Sequence, residues 1–279
     1  MKARLATLLL LTLALTSVSF VGCGVTPGRA ITMTFHAVGD AADFVTATGW
    51  TVHLTEARLV VGPVYALAPG IMTTRADELR QFLSPVAYAH GGHDDYASLQ
   101  VRAEWLEQTV VDLLAPEPVL LGEAQGTAGS AEYATLHLEP PRAMSELVHG
   151  HEAWIAGTAT MGTDVIAFEG GLEIAQTALG NVIEGVAIEQ DGVVSPGFPT
   201  FDDDGDMRVT VHVRGQAANG ASLGSPSWLD QAHFERLAVP TTGDVRVLDA
   251  TTQPYQAWLL AARNSDAFSA SYQPAPGGM

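Results

Sequence analysis

The stretch AYAHGGHDDY (87–96) sets His90 and His93 three apart across two glycines, with Asp94, Asp95 and Tyr96 directly after. Imidazole binds zinc, copper or nickel through a ring-nitrogen lone pair, and a nearby carboxylate such as Asp94 completes or orients the ligand shell. The glycines leave the backbone free to fold both rings toward one point. Solvent alone also satisfies an HxxH pair on a loop, so both readings stand at this stage. A second pair, His149 and His151, lies in ELVHGHEAW beside Glu152 and Trp154. On an extended segment alternate side chains share a face, so HxH there points both rings the same way; a solvated strand end is the alternative. Four imidazoles from two loops suit a tetrahedral zinc site or a tetragonal copper(II) site. His90, His93, His149 and His151 are therefore the candidate ligands, with Asp94 and Glu152 as auxiliary groups.

The remaining candidates for chemistry are weaker. His36, His53, His137 and His212 fall within strand-like runs and read as polar-face residues, while His233 sits in a semi-helical connection, SWLDQAHFERL. In FDDDGDM, Asp202, Asp204 and Asp206 alternate like the opening of a calcium loop. The glycine falls at 205, however, and position 213 is Val where a closing carboxylate belongs. An Asp-Gly hairpin turn is the simpler account. No GxSxG elbow, SxxK, HExxH or glycine-rich phosphate loop is present, so no catalytic role is expected. Trp50, Trp105, Trp154, Trp228 and Trp258 read as a sugar platform or as core.

The elements that must position these residues are mostly strands. ITMTFHAV (31–38) alternates Ile31, Met33 and Phe35 with threonines and His36. GWTVHLTEARLVVGPVYAL (49–67) holds two β-branched runs broken near Gly62-Pro63. LEQTVVDLL, AEYATLHLE, EAWIAGTATM, DVIAFEGGLEI, VIEGVAIE, MRVTVHVRG and DVRVLDA continue the pattern. Pro116 and Pro118, Pro140-Pro141, Gly170-Gly171, Asp191-Gly192 and Asp204-Gly205 read as turns between them. This spacing indicates an antiparallel sandwich or barrel. Two stretches interrupt it: a long polar connection from about 73 to 98 that carries His90 and His93, and QPYQAWLLAARNSDAF (253–268). In the latter, Tyr255, Trp258, Leu259 and Ala262 recur at helical spacing.

The chain opens MKARLATLLLLTLALTSVSFVGCG: basic Lys2 and Arg4, then an apolar run from Leu5 to Leu15 too short to span a bilayer. Small and apolar residues then lead to Cys23, the pattern of a bacterial lipoprotein signal whose cysteine thiol is acylated. Cys23 is the chain's single cysteine, which excludes disulfide and thiolate chemistry from the folded part. Expected divisions are a signal peptide over 1–22, a lipidated cysteine and tether over 23–30, and a β-sandwich domain over 31–279. Gly24 is not the aspartate of an inner-membrane retention signal, so an outer-membrane anchor is expected. A formal charge of −18 repels nucleic acid and anionic headgroups and attracts cations.

Several segments in order, ITMTFHAV, WTVHLTEARLVVGPVYAL, TVVDLLA, AEYATLHLE, WIAGTATMGTDVIAFEGGLEI and SWLDQAHFERL, resemble bacterial extracytoplasmic lipoproteins related to the methanobactin-associated periplasmic copper-binding protein. The resemblance spans most of 31–237 and implies an extracytoplasmic β-sandwich with a histidine-containing copper site. It assigns no ligand residue by residue. The expected fold is all-β: an antiparallel β-sandwich with a long histidine-containing loop and a short C-terminal helix. The expected role is capture or delivery of a transition metal ion, zinc or copper, with an outer-membrane transporter or periplasmic protein as partner. The alternatives are a structural or adhesion scaffold presenting exposed aromatics, and a carbohydrate-binding module.

Overall fold

In a computed structural model of the chain, residues 29–39, 43–68, 101–143, 145–174, 181–190, 199–213, 228–238 and 243–275 are described. Alternation of apolar with threonine-rich or charged positions builds β1 (Ala30–Gly39), in which Ile31, Met33, Phe35 and Ala37 are buried. The same period builds β3 (Thr51–Val61), β4 (Val64–Leu67), β9 (Tyr133–Leu138), β10 (Ala153–Met161), β11 (Asp164–Leu172) and β12 (Asn181–Gln190). It also builds β14 (Gly205–Val211). Shorter or less regular strands are β2 (Phe44–Val45), β5 (Val101–Trp105), β6 (Thr109–Asp112), β7 (Val119–Thr127), β8 (Gly129–Ser130), β13 (Thr200–Phe201), β15 (Val245–Val247) and β16 (Phe268–Pro274).

Eight of these strands close into a barrel in the order β1-β14-β16-β12-β9-β4-β5-β7. Eight strands leave an interior just wide enough for side chains, and Phe35, Leu136, Met207, Val209 and Tyr272 are among the buried residues on its strands. Each such burial contributes about 1.5–3 kcal/mol. A second sheet runs β15-β11-β10-β3-β2, with β6 added alongside β3. Its apolar face (Val52, Leu54 and Leu59 of β3, Ile155 of β10, Phe168 of β11) joins the same core.

The expected antiparallel sandwich is therefore corrected to a closed barrel with an attached open sheet. Parallel pairs run between β1 and β14, β12 and β16, and β11 and β15. Alternation reveals which face of a strand is buried and not which strand lies beside it, and all three pairs join segments remote in sequence. The terminal helix is α1 (Gln253–Ala262), with Tyr255, Trp258 and Ala262 buried as its spacing predicts. Trp258 packs on Trp228 with ring centroids 5.6 Å apart. The chain does not end there, because β16 follows and enters the barrel between β14 and β12.

Two expected turns are also corrected. Gly170-Gly171 lies inside β11, paired with Ile155 and Trp154 of β10. Asp204-Gly205 does not make a hairpin: β13 before it pairs with β8, and β14 after it pairs with β1 and β16. Among the described residues, no helix is long and apolar enough to cross a membrane.

Candidate metal centre

The His149/His151 pair sits where a 3-10 turn over Ser145–Val148 hands the chain to β10. Val148 is fully buried and anchors that turn. The segment is not extended as the HxH reading expects. His149 takes φ +51° and Gly150 φ +85°, two successive residues in the left-handed region, which glycine adopts freely and histidine does not. Backbone bonds from His149 N to Glu146 O (3.4 Å) and from His151 N to Val148 O (2.9 Å) close the corner.

The corner gathers both imidazoles on one indole. The His149 ring lies 4.1 Å from the Trp154 ring, centroid to centroid, and the His151 ring lies 6.0 Å from it, nearly parallel at 27°. Sheet register explains the second contact. Trp154 is flanked across the strands by Arg58 of β3 and Gly171 of β11, so the three form one row on one face. Gly171 has no side chain, and His151 occupies the space one would take: a Cβ built there lies 2.0 Å from His151 Cδ2 and 2.1 Å from Cγ. In that seat His151 Nδ1 is buried and has no hydrogen-bond partner. An unpaired buried ring nitrogen is costly, about 1–3 kcal/mol, unless a proton donor or a cation meets it. Imidazole nitrogen is a good donor for zinc or copper, and the unpaired Nδ1 of His151 is a nitrogen of that kind.

Glu152 faces the other way. It is 5% exposed, and its Oε2 accepts the Ile174 backbone N–H at 3.0 Å. Burial pushes its carboxyl above the usual range, against the opposing pull of that hydrogen bond. His90, His93 and Asp94 lie outside the described residues, as does Cys23. Among the described residues, no three His, Cys, Asp or Glu side chains cluster closely enough to hold a metal ion.

Of the other histidines, His36, His53, His137 and His233 lie beside carboxylates, and His212 lies beside a serine hydroxyl. His53 Nδ1 contacts Asp43 on the exposed rim, and His233 Nδ1 lies 3.0 Å from Glu235 Oε1. The second Glu235 oxygen accepts Trp50 Nε1–H at 3.1 Å, tying the hairpin that opens β3 to the 228–237 segment. His137 is half-buried beside Tyr65, and burial lowers its pKa. His212 Nε2 lies 2.9 Å from Ser269 Oγ. The acidic run is also structural: Asp203 pairs with Arg29 at 2.6 Å, and Asp204 Oδ1 accepts Thr32 N–H at 2.7 Å. Trp50, Trp105, Trp228 and Trp258 are buried, so a platform of several tryptophans does not form.

Sequence reasoning missed Arg58 and Gly171, which become visible only through strand register. The GG dipeptide inside DVIAFEGGLEI was the one available trace, and it reads as a turn.

Comparison with protein-family models finds no match, and comparison with curated proteins finds none either. Among solved structures, the chain is similar to "MbnP from Methylosinus trichosporium". That likeness has 10% sequence identity, covers 88% of this chain and 98% of that one, and has a TM-score of 0.38. A likeness this distant carries no functional argument.

Proposed function

We propose that the chain is a non-catalytic, envelope-facing protein, lipid-anchored through Cys23, that holds a transition metal ion on His149 and His151. The observation that carries the reading is the corner itself. Two imidazoles meet on Trp154, and one of them keeps a buried nitrogen without a hydrogen-bond partner. Two imidazoles leave an ion's remaining positions to water or to further donors. His90, His93 and Asp94 are the donors proposed to complete the set. The role is capture or delivery of zinc or copper, with an outer-membrane transporter or periplasmic protein receiving it. A net charge of −18 draws cations toward the surface.

Calorimetric titration of the purified protein with copper(II) and zinc(II) tests this. One ion should bind per chain, and His149→Ala and His151→Ala should each weaken it at least ~10-fold. Copper(II) should quench tryptophan emission, and Trp154→Phe should remove most of that quenching. A His90→Ala/His93→Ala double variant measures what the other pair adds. Affinity unchanged by His149→Ala and His151→Ala removes the assignment.

A further inference from the structure

We propose that Arg58 is a positioning residue of the His149/His151 corner and that Glu56 neutralises its charge. The inference rests on the metal reading for its purpose, and on geometry for its substance. His149 sits in a backbone conformation that a non-glycine residue adopts at a cost of about 1–3 kcal/mol. Something outside the corner must hold it there. Within the corner the closing bond from His149 N is long, at 3.4 Å. Fully buried Val148 is one fixed point of the turn.

A second hold comes from β3. Arg58 Nη1 donates to the Leu147 carbonyl at 2.8 Å, two residues before His149. Arg58 is also the cross-strand partner of Trp154, the indole on which both imidazoles rest. One side chain thus sits beside the platform and grips the turn that carries a ring to it.

A guanidinium next to a cation site repels the cation it helps to place. Glu56 removes that conflict, with Oε1 at 3.2 Å from Arg58 Nε. Both side chains are about 70% covered, at 30% and 28% exposure. Their mutual compensation is therefore less screened than at a free surface. Glu56 leaves the Arg58 Nη1 bond to Leu147 intact, because it is engaged through Nε.

The test separates ring placement from metal binding. In the metal-free protein, the Trp154 ring current should displace the imidazole C–H signals of His149, and Trp154→Phe identifies that shift. Arg58→Gln should largely abolish the shift and weaken copper(II) binding roughly 10-fold. Arg58→Lys keeps one N–H donor for Leu147 O and should restore most of both. Glu56→Gln should leave the His149 signals in place while weakening copper(II) binding several-fold. If Arg58→Gln does not fold, Arg58→Lys still decides: a reduced but surviving His149 shift supports positioning. Unmoved His149 signals in the Arg58 variants overturn the proposal. A wild-type protein that binds no copper(II), yet whose His149 signals move in Arg58→Gln, retains the positioning role and rejects the metal reading.

Discussion

Replacing Gly171 by alanine should dislodge His151 without altering any ligand. The new Cβ would lie 2.0 Å from His151 Cδ2, so the ring must withdraw by about 1.5 Å to reach ordinary carbon contact. Inserting a methyl into a packed site costs about 1–3 kcal/mol. His151 is only half-buried and can swing outward, which puts the expected loss at about 1 kcal/mol, the low end of that range, by urea denaturation. The same substitution in a His151→Ala background no longer meets the His151 ring, and replacing a strand glycine gains about 0.5–1 kcal/mol. The double-mutant cycle should therefore show a coupling of about 1 kcal/mol or more between positions 151 and 171. Copper(II) affinity should fall in Gly171→Ala alone, since the ring has left Trp154. Equal cost of Gly171→Ala in both backgrounds, or unchanged affinity, would refute the stacking geometry and the site built on it.

Gly157→Ala should cost more, about 2–3 kcal/mol, because its Cβ would lie 2.3 Å from the His53 backbone oxygen, and backbone has no rotamer to swing away; thermal denaturation measures it. Gly150→Ala meets nothing within 4 Å, so only its left-handed conformation is penalised, and the loss should be about 1 kcal/mol by the same measurement. Burial raises the Glu152 carboxyl, so between about pH 4.3 and that raised value the folded state binds more protons than the unfolded one. Stability should then fall as pH rises through this window. Glu152→Gln, which still accepts from Ile174 N–H, should lack the decline: a pH series of melting temperatures should show the two proteins alike near pH 4 and the variant higher at neutral pH.

The burial pattern of β1, β3 and β10 could be read from alternation, because the period of a strand is local. So could the buried face of α1. What alternation omits is partnership. β14 meets β1 in parallel across more than half the chain, and nothing near Met207 or Phe35 announces it. β16 was overlooked because FSASYQP offers serines where its neighbours carry β-branched residues, and β7 because glycines dilute VLLGEAQGT. At the candidate site, the pairing of His149 with His151 was legible and its geometry was not. The left-handed backbone at His149 contradicts local propensity and is held by Val148 and Arg58, which lie about 90 residues apart in the chain. Glu152 looked like a ligand-side group because sequence gives adjacency without direction, and its side chain turns inward to Ile174.

The insertion of β16 between β14 and β12 has a consequence for how the molecule is made. The last barrel strand in chain order is a stave in the middle of the wall, not an addition at its edge. While it is missing, two strands stand with bare backbone edges, which invite pairing with other chains. Ring closure must then await β16, the last of the barrel's strands along the chain, and until it arrives the barrel sheet is open and association-prone.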